Sequence, residues 1–250
     1  MSEYSGDSLL TVATWNIHCG RDRQGKPFDF GNQISRTGAD IVGLQEVEIH
    51  GLLDEATANE AFRDNGFQHA AAQIFSASPF DDSAGLAVAI LSSFEIKHST
   101  RTVLPNPIRT MNIAPAFHDK GIITVQVPWM GSVIDVVALH LFPFHWVGMD
   151  DYDSSLEILW RELDELLTPR ANVPRIVLGD FNTSHRAQLL NCIRLGRLMS
   201  TFLDLPSRDN GESHDDILVS PEWTMKKRES LHTESDHKLL IASFSLDSGY

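Results

Sequence analysis

Short apolar runs separated by polar stretches make up most of the chain. The first run, residues 9–17, is rich in β-branched and aromatic side chains, which predicts a strand, and a Gly-rich polar loop over residues 20–31 follows it. The same pattern predicts further strands at residues 41–45, 68–75, 86–91, 122–127, 133–139, 175–178, 217–219 and 239–244.

Three segments between these strands favour helices. Residues 32–36 form a short one, and residues 52–63 form a longer one that Asn65-Gly66 would end. The segment 154–157, Ser-Ser-Leu-Glu, has the pattern of a capping box and would open a helix that ends before Pro169. No repeat, low-complexity tract or linker interrupts this order, which predicts one domain in which outer helices cover two packed sheets.

Polar residues that can bind a metal or move a proton stand where several apolar strands end. If these strand ends converge, they form a cluster of oxygen ligands and imidazoles, and oxygen ligands suit a hard cation such as Mg²⁺ or Mn²⁺. Each residue alone has a simpler structural explanation, such as an Asx-turn or a hydrogen-bonded histidine. Separate structural explanations are less convincing when such residues stand at the ends of several strands at once. The residues are Asn16, His18, Glu46, His140, Asp180, Asn182, Asp236 and His237.

Five short motifs that contain these residues occur in the order of a known family. They are Thr14-Trp15-Asn16-Ile17-His18, Leu44-Gln45-Glu46-Val47, Leu139-His140-Leu141, Leu178-Gly179-Asp180-Phe181-Asn182 and Ser235-Asp236-His237-Lys238. Together they resemble the successive motifs of the endonuclease/exonuclease/phosphatase (DNase I-like) superfamily, over about residues 10–245. The resemblance implies an α/β fold: a four-layer α-β-β-α sandwich of two mostly antiparallel sheets packed face to face, with outer helices, in one domain over residues 1–250.

The resemblance also implies a divalent metal, Mg²⁺ or Mn²⁺, and its ligands. Glu46 matches the principal metal ligand of the family. Asn16 matches a first-strand asparagine that helps to hold metal or phosphate, and Asp236 matches an aspartate beside the metal. A metal would neutralise the phosphate anion, which otherwise repels nucleophiles, and would stabilise the leaving oxygen.

Five further residues match the catalytic groups of the family. Asp180 and Asn182 match the pair that positions the attacking water and the phosphate, and His140 matches a histidine that supports the phosphoryl oxygens. His237 matches the catalytic histidine, and Asp215 matches the carboxylate that orients it, as in other His–Asp pairs. Whether Asp180 or His237 takes the proton of the attacking water stays open.

Two departures from the family pattern bear on this assignment. Asp216 stands where the family often has an aromatic residue, but the spacing to the strand at 217–219 favours its neighbour Asp215 as the partner of His237. The segment 212–216 lacks the Trp-Cys-Asp-Arg signature of inositol polyphosphate 5-phosphatases, which disfavours that branch of the family.

The substrate is less well defined than the reaction. Hydrolysis of a phosphodiester is favoured over that of a monoester, and His18, Lys120 and His145 are candidate substrate contacts. Lys120 lies in an Asp-Lys-Gly segment that resembles one in sphingomyelinase-like members. The aromatic segment 142–146 would stack on a base, meet a lipid or pack in the interior. One alternative is a Mg²⁺-dependent nuclease on DNA or RNA. The other is a catalytically silent binding module, and the retention of all motif residues disfavours this second alternative.

Composition bears on partners and compartment. The chain of 250 residues is 42% hydrophobic and 22% charged, as is ordinary for a folded soluble protein, and its net charge is −14. That charge disfavours long nucleic acid as a substrate, and the isolated basic run 226–228 is predicted to be a solvated loop. We expect a monomer that acts on a phosphoester.

The N-terminal segment and the cysteines favour the cytoplasm. The first seven residues are polar and acidic, unlike a signal peptide, and no apolar run approaches the length of about 18 residues that a membrane span requires. Cys19 and Cys192 lack the spacing of a metal site, so free thiols are expected in a reducing compartment.

Overall fold

The computed structural model describes residues 8–51, 62, 66–106, 119–150, 153–183, 185 and 198–247. These residues contain twelve strands: β1 Leu10–Asn16, β2 Ile41–His50, β3 His69–Ala77, β4 Ala84–Ser92, β5 His98–Val103, β6 Gly121–Trp129, β7 Ser132–His140, β8 Arg175–Asp180, β9 Met199–Ser200, β10 Asp215–Val219, β11 Trp223–Leu231 and β12 Leu239–Leu246. They also contain the helices α1 Phe30–Ser35 and α2 Glu157–Leu167, and 3-10 turns at His18–Gly20, Phe144–Val147 and Ser154–Leu156.

The strands form two six-stranded sheets. The first has the order β11-β12-β1-β2-β4-β3, and the second has the order β5-β6-β7-β8-β10-β9. Neighbours are antiparallel except for two parallel pairs, β1 with β2 and β7 with β8. The predicted pair of packed, mostly antiparallel sheets is confirmed.

Three apolar layers separate the sheets and helices, because strand side chains alternate between the two faces of a sheet. On β1, Leu10 and Val12 enter the core between the sheets, whereas Trp15 enters an outer layer with Ile34 of α1. Behind the second sheet, α2 contributes leucines spaced four residues apart, on one helix face. They are Leu159, Leu163 and Leu167.

A glycine in β2 lets the two sheets approach closely. A Cβ atom on Gly43 would lie 2.7 Å from the Cβ atom of Leu178 in β8, closer than real Cβ contacts allow. Gly43 thus accommodates Leu178 at the centre of the sandwich, where any larger residue would push β2 and β8 apart.

Some predicted elements differ from the observed ones. The basic run 226–228 is not a loop, because it lies within β11, an edge strand whose side chains are mostly exposed. The capping-box prediction at 154–157 was also wrong: Asp153 is the capping residue, and its carboxylate accepts a hydrogen bond from Ser155 N at 2.9 Å. The short strands β5 and β9 were not predicted.

Two predictions fall partly outside the described residues. Of the helix predicted over residues 52–63, only residue 62 is among the described residues. Cys192 lies outside the described residues. Cys19 is a buried free thiol, and burial raises its pKa. Among the helices that the structure describes, none combines the length and the apolar character needed to cross a membrane.

Candidate functional site

The predicted strand ends converge at one edge of the sandwich. The register pairs Asp180 at the end of β8 with His140 at the end of β7 and with Asp215 at the start of β10. Asn16 ends β1 in the facing sheet. These ends open on a cleft of about 320 Å³, whose polar lining is Asn16, His18, Glu46, Lys120, His140, Asp180, Asn182, Arg208, Asp236 and His237.

A buried histidine–carboxylate pair lies at the base of this cleft. His237 Nδ1 is 2.7 Å from Asp215 Oδ2, and both side chains are almost completely buried. Burial alone would lower the pKa of His237, but the negative charges of Asp215 and Asp180 outweigh it and raise the pKa to about 10. The pairing leaves Nε2 of His237 toward the cleft, 3.9 Å from Asp180 Oδ2.

The neighbouring carboxylate, Asp216, points to the opposite face of β10. Its oxygens accept hydrogen bonds from Ser200 Oγ and from Phe202 N, the latter at 3.0 Å. The choice of Asp215 over Asp216 as the partner of His237 therefore agrees with the geometry, because adjacent strand residues face opposite sides of a sheet.

Two hydrogen bonds attach the His237 segment to the end of β1, and a third lies within the segment. Ser235 Oγ donates to Asn16 O at 2.9 Å and accepts from His237 N at 3.1 Å. Trp15 Nε1 donates to His237 O at 3.2 Å. The late Ser-Asp-His motif and the first strand thus form one unit across more than two hundred residues of sequence.

Asp180 is an anionic acceptor at the centre of the site. Its Oδ2 accepts from Asn16 Nδ2 at 2.9 Å, and its Oδ1 accepts from Asn182 N at 2.7 Å. Burial opposes ionisation, but His237 and His140 hold the pKa of Asp180 well below its usual range. Asn182 has a φ of 52°, and its Nδ2 donates to Leu141 O at 2.8 Å, which fixes the amide in the cleft.

Glu46 reaches the cleft through an irregularity in β2. The register of β2 against β4 shifts between Leu44 and Val47, and Glu46 has a φ of 57° there. Such a bulge re-aims a side chain next to a site. Glu46 Oε1 lies 3.6 Å from His140 Nε2, and the positive groups around it outweigh burial, so that the pKa of Glu46 is lowered.

Lys120 is buried against His140. Its Nζ lies 3.0 Å from both ring nitrogens of His140. Burial, followed by the charge of Lys120, lowers the pKa of His140 to about 4, so the ring is neutral near pH 7. Burial also lowers the pKa of Lys120, against the opposing charges of Glu46 and Asp180.

The donor set fits a hard divalent cation. Glu46, Asn16 and Asp236 offer two carboxylates and an amide oxygen on the same cleft, and Asp236 pairs with Arg208 in this structure. A second, buried grouping has one ligand atom each from Asp180, Asp215 and His237, and all three atoms lie within 4.8 Å of one another. Oxygen predominates in both groupings, as Mg²⁺ and Mn²⁺ require.

The remaining predicted substrate contacts divide between two cavities. His18 lies at the rim of the main cleft, where its Nδ1 is 3.2 Å from Arg21 O. His145 is not in that cleft. It is exposed and lines a neighbouring cavity of about 390 Å³, where its ring centroid is 5.8 Å from that of His214. Phe142 and Phe144 of the aromatic segment are buried in the outer core, which corresponds to the packed-loop interpretation.

Sequence reasoning missed four residues of the main cleft: Pro79, Phe80, Leu86 and Arg208. Arg208 forms an isolated β-bridge with His237 and an ion pair with Asp236, contacts that join segments far apart in sequence. Phe80 follows Pro79 in a polar loop and carries no local signal of a site. Only the three-dimensional arrangement brings Arg208 and Phe80 to the cleft.

Comparisons with known proteins agree with this geometry. The family model described as the Endonuclease/Exonuclease/phosphatase family matches residues 13–237, most of the chain. The protein cwh43 of Schizosaccharomyces pombe is 30% identical over 141 residues, which cover 55% of this chain and 13% of that protein. This chain therefore spans only a small part of that relative's length.

Two solved structures share the fold. An endonuclease/exonuclease/phosphatase from Beutenbergia cavernae aligns with a TM-score of 0.75 and 18% identity, over 95% of this chain and 72% of that one. The human nocturnin catalytic domain with a bound sulfate anion aligns with a TM-score of 0.67 and 17% identity, over 95% of this chain and 93% of that one. The family match over residues 13–237 shows that this chain belongs to the endonuclease/exonuclease/phosphatase family.

Proposed function

We propose that this protein is a divalent-metal-dependent hydrolase of phosphoesters, and that a phosphodiester is its substrate. The observation that carries the proposal is the buried His237–Asp215 pair, which opens beside Asp180 on a cleft that also holds Glu46 and His140. A carboxylate behind the ring fixes the tautomer of a catalytic histidine and stabilises its charged form.

Glu46, Asn16 and Asp236 are the proposed metal ligands. When bound, Mg²⁺ or Mn²⁺ would supply charge neutralisation at the phosphate and stabilisation of the leaving oxygen. The alternative ligand group of Asp180, Asp215 and His237 is less favoured, because the 2.7 Å hydrogen bond between His237 and Asp215 already engages two of its three members.

The chain's own residues supply positioning and proton transfer. Asn182 and the neutral ring of His140, with Lys120 behind it, face the place where phosphoryl oxygens would lie. Asp180 and His237 Nε2 stand 3.9 Å apart, within reach of one water molecule. Its oxygen bonds to phosphorus, the ester P–O bond breaks, the water proton passes to Asp180 or to the neutral form of His237, and the leaving alkoxide takes up a proton from solvent.

Two observations outside the cleft support this reaction class. Human nocturnin, a neighbour in fold, holds a sulfate, and sulfate is a tetrahedral anion like phosphate. The net charge of −14 disfavours a nuclease that acts on long DNA or RNA, since such proteins carry a basic face. A silent binding module would not need a buried His–Asp pair. Location in the cytoplasm and a monomeric state stay predictions.

Metal dependence provides the first test. We expect hydrolysis of an aryl phosphodiester, followed by release of p-nitrophenolate, to require added Mg²⁺ or Mn²⁺ and to stop with chelator. Turnover that survives complete chelation would overturn the mechanism. A panel of oligonucleotides, phospholipid headgroup diesters, inositol phosphates and nucleotides then separates the substrate classes.

Two variants test the site itself. His237→Ala and Glu46→Gln should each lower kcat by about two to four orders of magnitude, because each removes a group that acts on the reacting atoms. Circular dichroism and thermal unfolding check that the fold is intact. Val133→Ala, at the opposite end of β7 from His140, is the matched control and should keep wild-type turnover.

A further inference from the structure

One wall of the main cleft is apolar. Pro79, Phe80, Leu86, Phe142 and Pro143 line it next to the polar groups of the site. Phe142 and Leu86 are buried, whereas Phe80 is 49% exposed. Because Phe80 stays half exposed at the mouth of a polar cleft, its ring is accessible to a ligand that enters the cleft.

Planar groups flank the ring of Phe80. The guanidinium carbon of Arg21 lies 5.0 Å from the ring centroid, over the face of the ring. The imidazole of His18 lies 5.9 Å away, at an interplanar angle of 89°. Arg21 therefore lies over the Phe80 ring and the His18 ring stands perpendicular to it, and the three side chains form a cluster whose phenyl surface remains partly open to the cleft.

The carboxylate of Glu48 anchors this cluster through Arg21 and through Ser78. Glu48 Oε2 pairs with Arg21 Nη2 at 3.3 Å, which orients the guanidinium against the ring. Glu48 Oε1 accepts a hydrogen bond from Ser78 Oγ, and Ser78 Oγ accepts one from Phe80 N at 3.0 Å. Both the side chain and the backbone of Phe80 are thus anchored, and an anchored group loses less entropy when it binds a ligand.

We propose that Phe80 determines specificity by stacking on a planar unsaturated ring in the group esterified to the phosphate in the cleft, either the ring of an aryl ester or the base of a nucleoside ester. The inference rests on the proposed hydrolysis of phosphoesters and names the substrate class. A cavity of about 320 Å³ accommodates a small ligand of this kind. Stacking on an aromatic side chain tolerates different ring structures, because every such ring has a π-face.

A pair of matched substrates tests the proposal. Phenyl p-nitrophenyl phosphate and methyl p-nitrophenyl phosphate release the same p-nitrophenolate, so they differ only in the ester group that stays on the phosphate, where the proposal places the stacked ring. In the wild type with Mg²⁺, kcat/KM should be higher for the phenyl ester. Phe80→Ala should lower kcat/KM for the phenyl ester about tenfold more than for the methyl ester, mainly through KM.

Further variants and substrates separate a ring from a merely apolar contact. Phe80→Tyr keeps the ring and should retain the phenyl preference, whereas Phe80→Leu keeps only apolar bulk and should lose it. Thymidine 5′-(p-nitrophenyl phosphate) and octyl p-nitrophenyl phosphate distinguish a nucleobase and an alkyl chain from an aryl ring. A Phe80→Leu variant that retains the wild-type phenyl preference, or an octyl ester favoured over the phenyl ester, would overturn the proposal.

Glu48→Gln tests the anchoring separately. It removes the charge that pairs with Arg21 while leaving the Phe80 ring in the chain, so we expect a smaller loss of phenyl preference than in Phe80→Ala. Val133→Ala, far from the cleft, is the control for general effects of truncating an exposed apolar side chain. An unchanged substrate preference in Glu48→Gln would mean that the Glu48 network does not position the ring.

A binding measurement keeps the proposal independent of turnover. Calorimetry with the Mg²⁺-loaded protein should show that phenyl phosphate binds more tightly than methyl phosphate, and that Phe80→Ala removes the difference. If no diester is hydrolysed but this difference is present, the hydrolase proposal fails and the ring site stands. If diesters are hydrolysed and wild type does not discriminate between the two phosphates, the ring site fails.

Discussion

At the scale of single residues, two adjacent aspartates in β10 have different roles. Asp215 lies behind His237 and bonds to its Nδ1 at 2.7 Å, whereas Asp216 accepts a hydrogen bond from Phe202 N. The two carboxylates have the same chemistry and are both fully buried. Only the alternation of side chains along a strand separates a group that acts on the histidine from one that acts on the backbone.

This contrast gives a prediction with an internal control. Asp215→Asn should lower kcat by about two to four orders of magnitude with little change in KM, because the imidazolium of His237 loses its charged partner. Asp216→Asn should keep kcat within a few-fold of wild type. Steady-state kinetics on an aryl diester, with thermal unfolding of both variants, measures the difference. Equal losses of kcat in the two variants would contradict the assignment.

At the scale of elements, the interior strands of the two sheets were predictable from the sequence, and the polar edge strands β5 and β11 were not. Apolar runs with a polar end marked β1, β7 and β8, because interior strands are buried on both faces. The edge strands β5 and β11 are mostly polar and exposed, so no apolar run marks them. The sequence also predicts that β2 ends at Glu46, whereas the strand continues to His50 through a bulge, which depends on pairing with β4.

The junction between α1 and β2 gives a prediction about pH. Asp40 Oδ2 accepts a hydrogen bond from Thr11 N at 2.9 Å, but burial raises the pKa of Asp40 above its ordinary 3.8. The folded state thus binds the proton more tightly, so stability falls as pH rises from 3.8 through the raised pKa. Asp40→Asn keeps an acceptor oxygen without the charge, and its free energy of unfolding relative to wild type should increase over that pH range.

Asp22 provides the opposite case in the loop before α1. It accepts hydrogen bonds from Lys26 N and Gln24 N, and these lower its pKa below 3.8. The stability that it contributes is present above pH 3.8 and is lost as pH falls through the lowered pKa. Urea unfolding at several pH values should therefore show Asp22→Asn weakest, relative to wild type, near neutral pH. The same pH trend in both variants would contradict the two assignments.

At the scale of the whole molecule, the sandwich and most of its site follow from the sequence, and the cleft walls do not. The motif residues at strand ends meet because two facing sheets place them at one edge. His145 was predicted as a substrate contact, yet it lies in a 3-10 turn and lines the neighbouring cavity. Arg208 and Phe80 reach the cleft by long-range packing, which leaves no periodic pattern.

The close contact between the sheets gives a prediction about packing. Gly43→Ala places a Cβ atom 2.7 Å from that of Leu178, so we expect a loss of about 1–3 kcal/mol from overpacking. Leu178→Ala should cost about 2–5 kcal/mol by leaving a cavity. The double variant should be less destabilised than the sum of the two, since the loss of Leu178 Cγ and Cδ1 removes two of the crowding atoms and leaves room for the two Cβ atoms to move apart. Strictly additive losses in urea unfolding would argue against the contact.

That contact between Gly43 and Leu178 bears on how this protein can diverge. Glu46 lies three residues beyond Gly43, and Asp180 lies two residues beyond Leu178, so the interior of the sandwich sets the distance between the two carboxylates. The loops that carry Phe80 and His145 do not share in that spacing. Insertions, deletions and exchanges in those loops can therefore alter the walls of the cleft without changing the spacing of the two carboxylates.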